Sequence, residues 1–155
     1  MMSRLPSPRF RACLFSLLAC APLAAQQSLP IKAVGSVDAS ALGHTGRATV
    51  KLTFTTEAPL RQPYAIRPEW RSGGRTVQQR DHAPPIAVMK WEPNKPISYE
   101  LSLFFPLTPE NVNSVDVLVG FLNPEDNEVR PPLSRTQPRN GLAQIANFKF
   151  PEIEL

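Results

Sequence analysis

A chain of 155 residues with 42% hydrophobic residues, 18 prolines and 7 glycines has room for one domain with a buried core. Its 17 Lys and Arg against 13 Asp and Glu give a formal charge of +4, but Arg4, Arg9 and Arg11 belong to the N-terminal segment, and without them 14 bases face 13 acids. That near balance excludes a strongly basic nucleic-acid or anionic-membrane surface, and the pI of 9.4 stems largely from the first residues.

The first predicted element is a targeting segment. "MMSRLPSPRFR" is basic, "ACLFSLLACAPLAA" is apolar and uncharged, and the chain turns polar at Gln26-Gln27. This is the order of a secretory signal peptide, with residues 1–25 removed by a cut after Ala25. The apolar run is too short to span a bilayer as a helix. Both cysteines, Cys13 and Cys20, lie inside it, so the mature chain is expected to have no disulfide and no thiolate. Leu17-Leu18-Ala19-Cys20 also resembles the lipobox of bacterial lipoproteins, in which the Cys is lipidated and anchors the protein; Leu18 stands where a small or β-branched residue is usual. The two processing routes stay open at this point.

Residues 26–30, "QQSLP", read as a tether, and residues 31–155 as one β-domain. "RATVKLTFTTE" alternates, with Ala48, Val50, Leu52 and Phe54 on one face. "ISYELSLFFP" points Ile97, Tyr99, Leu101, Leu103 and Phe105 inward. "SVDVLVGFLN" puts Val115, Val117, Val119 and Phe121 on one face, while Leu118 on the other predicts cover on both sides. "QIANFKFPEIEL" places Ala146, Phe148 and Phe150 together. Weaker strand signals are "IKAVGSV", "PYAIRPEWRS", "RTVQQRD" and "EVRPPL"; no segment reads convincingly as a helix. Ser72-Gly73-Gly74 predicts a hairpin, "EPNKP" and "NPEDNE" predict turns, and Pro132 to Ala143 predicts a long surface loop. Strands at about ten-residue spacing imply an all-β fold: a single antiparallel sandwich of about seven or eight strands.

Several residues invite a chemical reading. Asp81-His82 could orient a general base, but neighbours along a strand point to opposite faces, and no nucleophile elbow accompanies them. They are expected to anchor a loop. His44 and His82 are the only histidines, and no spacing joins them, so no metal site is expected. Asn123, Glu125, Asp126, Asn127 and Glu128 lack the alternation of a calcium loop and read as an acidic turn. Trp70, Trp91 and Tyr64 could stack on sugar rings, with Arg71 and the nearby Arg61, Arg67, Arg75 and Arg80 engaging acidic groups. The competing reading buries Trp70 in the core and uses Trp91 to plug one end of the sandwich.

The order Asp81, Pro84, Trp91, Pro93, Pro106, Val117, Val119, Gly120 and Arg130 is similar to that of β-sandwich accessory domains at the C-termini of some bacterial membrane glycosyltransferases and related envelope proteins. It covers about a third of the chain, and Asn94 replaces the usual Gly. The resemblance implies an immunoglobulin-like sandwich in which these residues are structural and none is catalytic.

Together these readings imply an exported, non-catalytic binding or assembly module of the bacterial envelope, periplasmic or extracellular, and membrane-anchored only if Cys20 is lipidated. The expected partner is an envelope protein or a glycan, with no nucleic acid and no cofactor. The alternative is a carbohydrate-binding module that uses Trp70 and Trp91.

Overall fold

The computed structural model describes residues 27–104, 114–134 and 138–149. The expected signal peptide, Cys20, Phe105, Pro106 and Phe150 lie outside them. The elements are β1 (Ile31–Asp38), α1 (Leu42–Thr45), β2 (Arg47–Thr56), β3 (Ala65–Ser72), β4 (Arg75–Gln79), β5 (Ile97–Phe104), β6 (Ser114–Leu122), β7 (Val129–Arg130) and β8 (Ala143–Lys149), with a 3-10 turn at Val88–Lys90. All strand pairings between these elements are antiparallel. One sheet has the order β1-β2-β5; the other has β4-β3-β6, with β7 and β8 following one another along the far edge of β6. The fold is therefore the expected sandwich, with the chain changing sheet from β2 to β3, from β4 to β5 and from β5 to β6.

Period-two alternation explains the core. Ala48, Val50, Leu52, Phe54 and Thr56 of β2 are all buried, while Lys51 between them is exposed. The facing layer comes from Ile66 and Trp70 of β3 and from Val115, Val117, Val119 and Phe121 of β6. Phe54 and Phe121 meet edge-on at 5.5 Å, a geometry favoured by the ring quadrupoles. Gly73 and Gly74 take φ of +56° and +77°, the two left-handed positions that a two-residue hairpin requires, and they join β3 to β4 as expected. A single helical turn, α1, was not expected; it ends at Gly46 with φ +68°.

Two boundaries differ from the sequence expectation. Leu29, inside the expected tether, is buried, and its N–H donates to the Pro131 carbonyl at 2.8 Å. The expected surface loop 132–143 is partly core: Pro132, Gly141, Leu142 and Ala143 are buried. Arg139 and Leu142 exchange two backbone hydrogen bonds of 3.0 Å around Asn140 and Gly141, both at positive φ. This turn lies on the outer face of β6, where a Cβ on Gly120 would come within 2.5 Å of the Gly141 carbonyl oxygen and 3.0 Å of Leu142. A turn carries no periodicity, so its apolar Leu142 gave no strand signal although it packs over Gly120 on the second face of β6.

Candidate binding cleft

The three aromatic residues considered for sugar stacking are interior. Relative exposure is 0% for Trp70, 3% for Trp91 and 8% for Tyr64, so none presents a ring face to solvent. Trp91 lies parallel to Phe54 at 5.5 Å, edge-on to Phe121 at 6.4 Å, and donates Nε1–H to the Ile86 carbonyl at 2.8 Å. Tyr64 meets Phe121 edge-on at 6.4 Å. Trp70 points inward with Ile66 on β3 because both are even-numbered positions of one strand. The stacking-platform assignment of Trp70, Trp91 and Tyr64 is thus corrected: burying large rings stabilises this core, and no flat aromatic surface is left at these positions.

Asp81 and His82 point to different partners. Asp81 accepts two hydrogen bonds from Arg67, Nε to Oδ1 at 2.8 Å and Nη2 to Oδ2 at 2.6 Å. His82 pairs its backbone with Ile66, and its Nε2 lies 2.7 Å from the Tyr99 hydroxyl of the opposite sheet. The Nδ1 contact with the Arg80 carbonyl requires Nδ1–H, so Nε2 accepts from Tyr99 when the imidazole is neutral. Burial pushes the Tyr99 phenol above its ordinary value, which keeps it a proton donor here. Both residues therefore bind the loop to the sheets.

The Arg67 hydrogen bonds hold the Asp81 carboxyl below the usual carboxylate range, against a smaller opposing effect of burial. A depressed folded-state value stabilises the fold above the unfolded Asp value of about 3.9, and this is lost as pH falls through the folded value. Asp81→Asn should therefore lower the melting temperature near neutral pH, and the gap to the parent should close in acid. A gap unchanged down to about pH 2 would show that the ion pair contributes nothing.

The remaining candidates are local. His44 sits in α1, far in sequence from His82. Asn123 is buried and accepts the Glu125 N–H at 3.0 Å, while Asp126 bonds the Glu128 N–H at 2.9 Å and Arg130 at 2.6 Å. The carboxylate and amide groups of this acidic stretch close their own turn. Among the described residues no group of three His, Cys, Asp or Glu is placed to hold a metal ion.

Of the proposed site residues, Arg71 borders an open depression among the described residues. Arg71, Gly74, Asp116, Leu118, Pro138, Arg139, Leu142 and Gln144 line a cleft of about 660 Å³ on the outer face of the five-stranded sheet. Its position follows from β3, β6 and β8, whose outward residues fall side by side, and from the 139–142 turn that forms one wall. Leu118 and Leu142 are buried at 8% and 4% exposure and make an apolar floor. Arg71 is aimed by Glu69, which is 5% exposed: Glu69 Oε1 accepts Arg71 Nε at 2.6 Å and Thr76 Oγ1 at 2.5 Å. Asp116 Oδ1 accepts the Gln144 and Asn147 amides at 3.2 and 2.6 Å. Arg139 is exposed at the rim and forms no ion pair among the described residues.

Sequence reasoning missed Glu69, Asp116, Arg139 and Gln144. The available signal was Leu118, an apolar residue on the polar side of β6, which announces cover on that side. Scanned against protein-family models the chain matches none, and a search of curated proteins finds no match. Among the described residues no helix is long and apolar enough to cross a membrane.

Proposed function

We propose that the protein is an exported, non-catalytic binding module of the bacterial envelope, and that the cleft beside Arg71 is where it holds an acidic glycan. The observation that carries this reading is that two guanidinium groups, Arg71 and Arg139, and the Asp116 carboxylate line one cleft around an apolar floor. Guanidinium forks suit a sugar carboxylate, carboxylate and amide oxygens suit hydroxyls, and Leu118 with Leu142 suits the C–H face of a pyranose. The ion pair with buried Glu69 contributes position: it holds the Arg71 fork in one orientation before any ligand arrives. The signal-peptide order of the first 25 residues supports export, and Cys20 supports a membrane-anchored form if it is lipidated. Asp81 and His82 support the non-catalytic reading, since each is engaged by a structural partner away from the cleft.

Titration with a uronic-acid oligosaccharide, followed by amide chemical shifts, should move Leu118, Leu142 and Gln144. Arg139→Ala should weaken binding by roughly tenfold, the scale of one charge-assisted contact at a partly exposed site. Equal response to a neutral oligosaccharide, or no response at the cleft, would sink the reading.

A further inference from the structure

A sheet with an open edge invites another strand, and natural sandwiches normally blunt such edges. Three of the four edges here are blunted. β1 is covered at its start by the 131–133 segment: Leu29 N–H donates to Pro131 and Leu133 N–H to Ile31, both at 2.8 Å. Further along, Gly35 packs so closely against Ile145 of β8 that a Cβ there would lie 2.8 Å from the Ile145 side chain. β4 has only five residues, and Val77 is an extra residue in its ladder with β3. On the far edge of β6, β7 has two residues followed by Pro131 and Pro132, and β8 is bulged at Ile145.

β5 is different. Its eight residues pair with β2 in unbroken register, contain no Pro, Gly or bulge, and have no backbone partner on the other side among the described residues. Its inward side chains are also short of cover. Ile97, Tyr99 and Leu101 are half-buried, whereas their register partners Phe54, Leu52 and Val50 on β2 are 0% exposed.

We infer that β5 is an interface on which a second copy of this chain adds its own β5, antiparallel, across a two-fold axis. Side-chain chemistry selects the register. Both inward faces must lie on the same side of the joined sheet, so opposed residues share parity. A two-fold axis through Glu100 would set two carboxylates against each other. An axis through Leu101 sets Leu101 against the partner's Leu101 and Tyr99 against the partner's Leu103 on the inner face. On the outer face it sets Glu100 against the partner's Ser102 and exposed Phe104 against the partner's Ser98. Each Glu100 keeps its own Lys51 neighbour on β2. The result is one sheet of six strands, which leaves the cleft on the other sheet open and does not depend on what that cleft binds.

The test is the self-association of the protein purified from cells expressing the full chain, by sedimentation from about 10 µM to 1 mM. Ser102 is solvent-facing, so its variants keep the fold, which far-UV circular dichroism and melting curves verify. Ser102→Glu opposes two like-charged pairs and should raise the dimer Kd by about tenfold, while Ser102→Lys opposes Glu100 and should lower it by about threefold. Amides of Glu100 and Ser102, which point away from β2, should lose exchange protection on dilution. A monomer throughout the range, or a dimer that responds equally to both variants, overturns the proposal; the first outcome would leave β5 to a strand from a different protein.

Discussion

Trp91→Ala should lower the unfolding free energy by about 3–5 kcal/mol, measured by urea denaturation at neutral pH. The indole is 3% exposed, and it stacks on Phe54 and meets Phe121 edge-on. Truncation removes the contact area, leaves a cavity beside two large rings, and strips the Ile86 carbonyl of its Nε1–H donor. Trp91→Phe should cost less, because it keeps a ring beside Phe54 and loses mainly the hydrogen bond and part of the volume. A loss below about 1 kcal/mol for the alanine variant would show that the ring does not close the end of the sandwich.

Gly141→Ala should cost about 3 kcal/mol, although only one methyl group is added. Gly141 has φ +75°, and a Cβ there would overlap the Val129 carbonyl oxygen and lie 3.0 Å from the Val129 Cβ. Neither neighbour is the free end of a flexible side chain, so the turn must move off β6. That movement uncovers Gly120 and displaces Leu142 and Arg139, the floor and rim of the cleft. Denaturation midpoints check the energy. Limited trypsin digestion checks the location, since cleavage after Arg139 should accelerate in the variant. Unchanged stability together with unchanged cleavage would show that the turn relaxes without leaving the sheet.

These two sites show how unevenly the fold was legible. β2 and β5 announced themselves because an apolar inward row alternates with a polar or solvent-facing one, and β6 because Val115, Val117, Val119 and Phe121 alternate although its outer face is buried from Leu118 to Gly120. β1, β3 and β7 gave weaker signals for identifiable reasons. β1 breaks its pattern at Gly35, where the missing side chain makes room for Ile145. β3 carries Arg67, Glu69 and Arg71 on its outer face, which is partly buried beneath polar contacts, and Pro68 breaks its apolar row between Ile66 and Trp70. β7 has two residues, too few for any pattern.

The cleft was legible in one residue. Arg71 stood out as one of five arginines between positions 61 and 80, but the rest went elsewhere: Arg67, for instance, is bound to Asp81. Which arginine reaches a depression depends on Glu69 beneath it and on a turn about seventy residues away in sequence. No local pattern encodes that.

By itself, the sequence determined the strand class, the inward faces of the longest strands, the glycine hairpin and the leader-like N-terminus. These are local consequences of side-chain alternation, of left-handed backbone positions and of apolar run length. Only the tertiary structure decided that Trp70, Trp91 and Tyr64 are interior, that the 139–142 turn roofs the outer face of β6, and that β5 has a regular edge without a backbone partner among the described residues. Each of those depends on which surfaces meet across the sandwich, and burial is settled by the packing of distant segments that local alternation does not specify.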